Sequence, residues 1–173
     1  MTSPFQAFVG SAIHRAIPRA IGLRLDPSDP DAMLELACEV IGADRYGSRR
    51  ARILVASRTA LYLRRYCPPT PWKLVGVESP LGSGRTDLQW LWEQLDGPVH
   101  RLIDELKSAS ILYVRTDSRV LAQRDRYEAS ALRVHGASSL GVRVVALGAP
   151  SGTLLTSRAL ELAPAHPWLA GQR

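Results

Sequence analysis

Three segments between residues 72 and 108 alternate apolar and polar residues, and glycine-containing turns separate them. The segments are "WKLVGVES" (72–79), "RTDLQWLWEQ" (85–94) and "VHRLIDELKS" (99–108), with "PLGSG" and "LDGP" between them. Alternation with a period of two is typical of half-buried strands, and short turns containing glycine join antiparallel neighbours. The pattern therefore predicts a three-stranded antiparallel meander, and any fold for this chain has to be built around it.

The chain before the meander has helical periodicity. Three helices are predicted there: residues 3–22, in which Pro18 bends or ends the helix, residues from Asp29 or Asp31 to about Ile41, and residues 48–66.

The chain after the meander combines one helix with strands. The predicted elements are a helix over 117–135 that stops at Gly136, a strongly apolar strand over 141–150, and one more strand within 152–162. This order predicts an α/β fold with a mixed central β-sheet flanked by helices. We expect a single domain over 1–173, mainly helical over 1–66, with the sheet and a crossover helix over 72–150.

Composition places the chain among globular proteins. Hydrophobic residues make up 46% and charged residues 22% of its 173 residues, which excludes a disordered chain. No run approaches the roughly 18 apolar residues that a membrane helix needs. The N-terminal stretch has no basic start before its apolar part, so we expect no signal peptide, no membrane partner and a cytoplasmic location. Cys38 and Cys67 have no ligand-like spacing and are expected to be small apolar fillers.

The charge balance favours a polyanionic partner. The net charge is +6 and almost all of the basic residues are arginine, since Lys73 and Lys107 are the only lysines. Lysine is a compact donor whose pKa shifts readily, whereas arginine keeps its charge. Lys107, two residues after Glu105, is therefore a candidate catalytic residue. The arginines of "SRRAR", among them Arg50, are either a solvated helix face or contacts for phosphates.

Acidic residues and a lysine lie close together in the predicted sheet. Side chains alternate along a strand, so Glu105 and Lys107 share one face and Asp104 points to the other, unless a bulge exchanges them. Asp87 lies on the preceding strand and can come close to Glu105. Two neighbouring carboxylates repel unless a cation lies between them, and Mg²⁺ is bound by such oxygens. With Lys107 orienting or deprotonating water, the spacing indicates metal-assisted attack on a phosphodiester.

These residues resemble the motif of the PD-(D/E)XK nuclease superfamily. The stretch "GRTDLQW … RLIDELKSAS" supplies its Asp, Glu and Lys as Asp87, Glu105 and Lys107, with Thr86 in place of the preceding proline. Two further motifs are similar to the RecB-like branch: Gly-x-x-x-His in "GSAIH", with Gly10 and His14, and Gln-x-x-x-Tyr in "QRDRY", with Gln123 and Tyr127.

The resemblance implies a restriction-endonuclease-like core and a metal-dependent nuclease that hydrolyses DNA. It implies Mg²⁺ or Mn²⁺ as cofactor, held by His14, Asp87, Glu105 and the Leu106 carbonyl, with Asp87, Glu105 and Lys107 as the catalytic set. Gln123 and Tyr127 would organise the site and contact substrate, with Arg124 and Arg126 beside them. Some RecB-like nucleases carry a four-cysteine iron–sulfur cluster, which two cysteines cannot build. The expected partners are single- or double-stranded DNA and a separate helicase or other protein subunit.

Several alternatives stay open at the level of sequence. The chain is either an active nuclease, in repair, mobile-element maintenance or defence, or a catalytically inactive nucleic-acid-binding or scaffold module. A restriction-type endonuclease is a further alternative. The sequence does not decide between exonuclease and endonuclease action, or between DNA and RNA as substrate. Cleavage polarity and strand preference are also undetermined. Trp72, Trp90 and Trp92 are expected in the core or at its rim, although Trp90 or Trp92 could instead stack on an unpaired base.

Overall fold

A computed structural model of the protein describes residues 3–44, 46–93, 97–148 and 153–156. Its helices are α1 (Pro4–Leu23), α2 (Pro30–Ile41), α3 (Arg49–Arg65), α4 (Ile111–Thr116) and α5 (Ser118–His135). Its strands are β1 (Lys73–Leu81), β2 (Gly84–Glu93), β3 (Val99–Lys107), β4 (Ser139–Ala146) and β5 (Thr153–Thr156). The first two residues of the predicted "LDGP" turn and the end of the last predicted strand lie outside the described residues.

The strands form one mixed sheet in the order β1-β2-β3-β4-β5. The first three strands pair antiparallel, which confirms the meander, and β4 pairs parallel to β3. Parallel neighbours need a crossover connection, and α5 with the shorter α4 provides it. β5 returns antiparallel to β4. The predicted α/β class with a mixed sheet flanked by helices is confirmed.

The helices begin at residues that cap them. Ser3 and Gln6 form a capping box at α1, Asp29 caps α2, Ser48 caps α3 and Asp117 caps α5. Each side chain accepts a hydrogen bond from a main-chain amide that has no partner within the helix. Helix α1 passes through Pro18 and reaches Leu23, so an end at Pro18 is wrong. Buried Ile13, Ala16, Ile17 and Ala20 flank Pro18 on the same helix, and their packing offsets the one hydrogen bond that proline removes.

The two faces of the sheet have separate apolar clusters. Helices α1, α2 and α3 pack on one face in a large cluster that includes Leu88, Trp90 and Leu106. Helices α4 and α5 cover the other face in two smaller clusters around Ile103 and Val144. Consecutive strand residues alternate between these faces, as the pleat requires. Within the described residues, no helix combines the length and the apolar character needed to cross a membrane.

A buried ion pair joins the sheet to α3. Asp104 and Arg143 are directly paired in the β3–β4 register and both are fully buried. Arg143 donates from Nε and Nη2 to the two Asp104 oxygens at 2.6 and 2.5 Å. The Tyr62 hydroxyl of α3 and the Trp90 indole also donate to Asp104, at 2.5 and 3.1 Å. The pair therefore fixes β3 relative to both β4 and α3.

Candidate active site

The antiparallel ladder between β2 and β3 ends at Leu88, the residue that follows Asp87 in the chain. The last paired residues at this end are Leu88 and Asp104. Beyond them, Asp87 Oδ2 accepts a hydrogen bond from the main-chain amide of Leu106 at 2.6 Å. A carboxylate thus takes the place of a strand carbonyl. Because the amide and carbonyl of a strand residue point toward the same neighbour, the Leu106 carbonyl also faces β2.

Helix α1 brings a histidine to this opening. His14 Nδ1 lies 3.1 Å from Asp87 Oδ1, and the two side chains are 26% and 16% exposed. Burial lowers the pKa of His14, but the hydrogen bond and charge of Asp87, with the charge of Glu105, outweigh that effect. The pKa of His14 therefore lies above its ordinary value of 6.5. Solvent still reaches the pair, as a site that admits a ligand requires.

A chain of polar contacts links β3 to α5 on the same face. Lys107 Nζ donates to Glu105 Oε1 at 2.7 Å and to Gln123 Oε1 at 2.9 Å. Gln123 Nε2 in turn donates to Glu105 Oε1 at 2.8 Å and lies 3.2 Å from the Tyr127 hydroxyl. Tyr127 then donates to the Arg85 carbonyl of β2 at 2.5 Å. The glutamine amide therefore fixes the positions of both Glu105 and Lys107.

Glu105 has one oxygen without a hydrogen bond. Its side chain is 5% exposed, and among the described residues Oε2 is buried with no partner. Burial raises the pKa of Glu105 and the nearby Asp87 charge raises it further, whereas Lys107 and His14 lower it in part. A buried carboxylate oxygen without a donor is costly unless a cation or water meets it. This oxygen is therefore the strongest local indication that the site suits a cation.

The sequence-predicted metal ligands lie in one region, but their side chains do not already form a coordination shell. Within the part of the chain that the structure describes, no group of three or more His, Cys, Asp or Glu side chains is arranged so that it could hold a metal ion. The two Asp87 oxygens are engaged by His14 and by Leu106. Ion binding by His14, Asp87 and Glu105 would exchange the His14–Asp87 contact for contacts with the ion.

The two arginines predicted beside the site make different contacts. Arg124 donates to Asp125 at 2.8 Å and to the Thr156 carbonyl at 3.3 Å, so its guanidinium is directed toward β5. Arg126 is exposed and its Cζ lies 5.6 Å from the centre of the Tyr127 ring. Among the described residues, neither guanidinium hydrogen-bonds to Glu105 or Lys107. Trp90 is 2% exposed and bonded to Asp104, so the idea that it stacks on a base is wrong.

Two glycines allow the elements around the site to approach closely. A Cβ on Gly10 of α1 would lie 2.6 Å from the Oγ of Ser108, the residue that follows Lys107 in the chain. A Cβ on Gly84 would lie 2.6 Å from Tyr127 Cε1. The Gly-x-x-x-His motif singles out Gly10, whereas the sequence pattern places Gly84 only in a turn. The glycine of "GSGRTD" is a signal in the sequence, but its contact with α5 depends on the tertiary fold.

Comparison of the chain with protein-family models and with curated proteins finds no match. Functional inference therefore depends on the geometry of the site and on the motifs of this sequence.

Proposed function

We propose that the protein is a metal-dependent DNA nuclease of the RecB-like branch of the PD-(D/E)XK superfamily. The observation that carries the proposal is the cluster at the open end of β2 and β3. It comprises two contact groups, His14 with Asp87 and Glu105 with Lys107 and Gln123, and among the described residues one Glu105 oxygen has no donor. The order of one helix layer, a meander, a crossover helix and a parallel strand agrees with a restriction-endonuclease-like core.

The donor set suits a hard divalent ion. Carboxylate and main-chain oxygens are the ligands that Mg²⁺ favours, and an imidazole makes Mn²⁺ equally suitable. Asp87, Glu105, His14 and the Leu106 carbonyl would hold the ion, and the Glu105 oxygen without a donor would gain a partner. When bound, the ion would supply positive charge next to the phosphate and make the attacking water more acidic.

The residues of the chain would do the remaining work. Lys107 is 22% exposed and carries its ammonium at the rim of the cluster, where it would orient the water and steady negative charge on the phosphate. Gln123 hydrogen-bonds to both Glu105 and Lys107, so it would keep these two side chains in fixed relative positions. The Tyr127 hydroxyl donates to the Arg85 carbonyl of β2 and lies beside the Gln123 amide, so it would hold that amide in position.

The substrate class follows from charge. The net charge of +6 favours a polyanion, and attack by water on a phosphodiester agrees with a nucleic acid. Repair with a separate helicase, mobile-element maintenance and defence are the settings in which a DNA nuclease of this kind would act, in the cytoplasm.

A cleavage assay tests the proposal. End-labelled single- and double-stranded DNA and a circular plasmid are incubated with the protein and Mg²⁺, Mn²⁺ or EDTA. Ion-dependent products that EDTA abolishes are expected, and cutting of the circle would identify endonuclease action. No cleavage with either ion on any of these substrates would overturn the proposal and favour an inactive binding module.

A further inference from the structure

A cavity of about 420 Å³ lies beyond the candidate active site, at the start of α1. It is bounded by the first turns of α1, by α3, and by the residues that follow β3 and β4. The residues that matter for its chemistry are Gln6, Arg50, Arg58, Ser108 and Gly148. The lining is mixed, with two guanidinium groups and hydroxyls beside apolar walls.

The positive charge in this cavity is not balanced. None of the described residues that line it is acidic. Arg50 lies with its Cζ 5.6 Å from the centre of the Phe5 ring, and Arg58 donates to the Gly148 carbonyl at 3.4 Å. Among the described residues, neither arginine has a carboxylate within ion-pair distance. Burial without an anionic partner lowers the pKa of Arg58, yet arginine stays charged.

The start of α1 adds to this positive potential. Ser3 and Gln6 belong to its capping box and line the same cavity. The amino-terminal end of a helix carries partial positive charge, which acts in the same direction as the two arginines. A cavity with this charge and with guanidinium forks suits the oxygens of a phosphate.

Two residues that line the cavity, Ile13 and Ser108, are adjacent in the chain to His14 and Lys107 of the candidate active site. Ser108 lines it and directly follows Lys107, and the Lys107 carbonyl accepts a hydrogen bond from Leu147 at 2.7 Å. Along α1, Gln6 and His14 are eight residues apart, which corresponds to about 12 Å of helix. Successive phosphates of one stacked strand are spaced about 3.4 Å along the axis, so about three or four nucleotides span that distance.

We propose that the Arg50–Arg58 cavity binds a backbone phosphate of the substrate strand, a few nucleotides from the bond that is cut. This inference rests on the proposed function and identifies where the strand runs after it leaves the active site. The ligand is a phosphodiester of a polynucleotide. Arg50 and Arg58 are binding residues and take no part in the cleavage step.

Binding without cleavage tests this inference. Anisotropy of a fluorescein-labelled single-stranded oligodeoxynucleotide is measured in EDTA at several salt concentrations, for the wild type, Arg50→Ala, Arg58→Ala and the double variant. Arg64→Ala is the matched control, because Arg64 lies exposed on the same helix and outside this cavity. Arg58→Lys keeps the charge should Arg58→Ala fail to fold, and thermal unfolding checks every variant.

The salt dependence gives a quantitative expectation. Each phosphate contact contributes about 0.7 to the slope of log K against log[salt] for a single strand. Because the two arginines are proposed to contact one phosphate, we expect the double variant to lose about 0.7 of that slope and to bind at least about tenfold more weakly at low salt, with Arg64→Ala close to wild type. An unchanged slope in the double variant, or an equal loss in Arg64→Ala, would overturn the inference.

Two further outcomes separate the possible errors. If inorganic phosphate displaces the oligonucleotide when both are at the same concentration, the cavity is a site for small anions. That result would contradict the proposed path of the strand. If the double variant loses DNA binding but the wild type never cuts DNA, only the proposed function is contradicted. Ion-dependent cleavage with a KM unchanged in the double variant would contradict this inference alone.

Discussion

The carboxylate of Asp87 accepts a hydrogen bond from the main-chain amide of Leu106, 2.6 Å away, where the β2–β3 ladder has already ended. This contact fixes an acidic side chain beside the strand that carries Glu105 and Lys107. The other Asp87 oxygen meets His14 from α1. One carboxylate thus joins a helix and two strands, and the chemistry proposed for the protein is centred on it.

Replacing Lys107 separates its catalytic role from a structural one. Lys107→Ala removes the ammonium that lies 2.7 Å from Glu105, so we expect cleavage to fall by about 10²–10⁴-fold while DNA binding and fold are kept. Lys73→Ala is the natural control, because Lys73 is the only other lysine and its side chain is 69% exposed. Cleavage rates on end-labelled DNA and circular dichroism spectra provide the check. Wild-type cleavage by Lys107→Ala would contradict the assigned role.

Glu105 should lower the stability of the ion-free protein. Its carboxylate is buried and one oxygen has no donor among the described residues, so we expect Glu105→Gln to abolish cleavage and to unfold at the same or a higher temperature in EDTA. The folded-state pKa of Glu105 is raised from 4.5, so the wild type loses stability as pH rises from that value through the raised one. The difference in stability between the two proteins should therefore appear over that range and persist above it. Thermal unfolding at several pH values measures it, and a clearly less stable variant would refute the expectation.

The Asp104–Arg143 pair should be a strong determinant of stability. Arg143→Met leaves a fully buried carboxylate without its cation, which costs about 3–5 kcal/mol in such settings. Adding Asp104→Asn removes the charge but keeps an oxygen that accepts from Tyr62 and Trp90. We therefore expect the double variant to be more stable than Arg143→Met alone. Urea unfolding supplies the free energies, and a loss below about 1 kcal/mol in Arg143→Met would contradict this account.

Gly84 should matter because of Tyr127. In Gly84→Ala the new Cβ would meet the Tyr127 ring at 2.6 Å, and Tyr127 is held by its hydrogen bond to Arg85. We expect a loss of about 1–3 kcal/mol in stability and slower cleavage, since Gln123 loses its support. Gly22→Ala is the control, because its Cβ would meet nothing within 4 Å. Equal behaviour of the two variants in unfolding and cleavage assays would show that the contact is unimportant.

The sequence predicts the elements that depend on local patterns. The meander, the start of α2 at Asp29 or Asp31 and the crossover helix follow from periodicity and turn residues, and the structure selects Asp29 as the cap. Strand alternation also predicts that Glu105 and Lys107 share a face while Asp104 points away. These features depend on residues that are near each other in the chain.

Features set by distant residues could not be predicted. The pairing of Arg143 with Asp104 depends on the parallel register of two strands that are joined through α5. Helix α4 is too short for its periodicity to stand out, and Arg124 turns toward β5, a strand more than twenty-five residues later in the chain. The domain limits and the roles of the site residues stay predictions.

Calorimetric titration of Mn²⁺ into the protein tests the central claim most directly. Wild type is compared with Asp87→Asn, Glu105→Gln and the control Glu39→Gln, whose carboxylate lies on α2 and pairs with Arg19. The account predicts a saturable site in wild type and control, and affinity at least about tenfold weaker in both site variants. Equal Mn²⁺ affinity in all four proteins, or no saturable binding in the wild type, would contradict it.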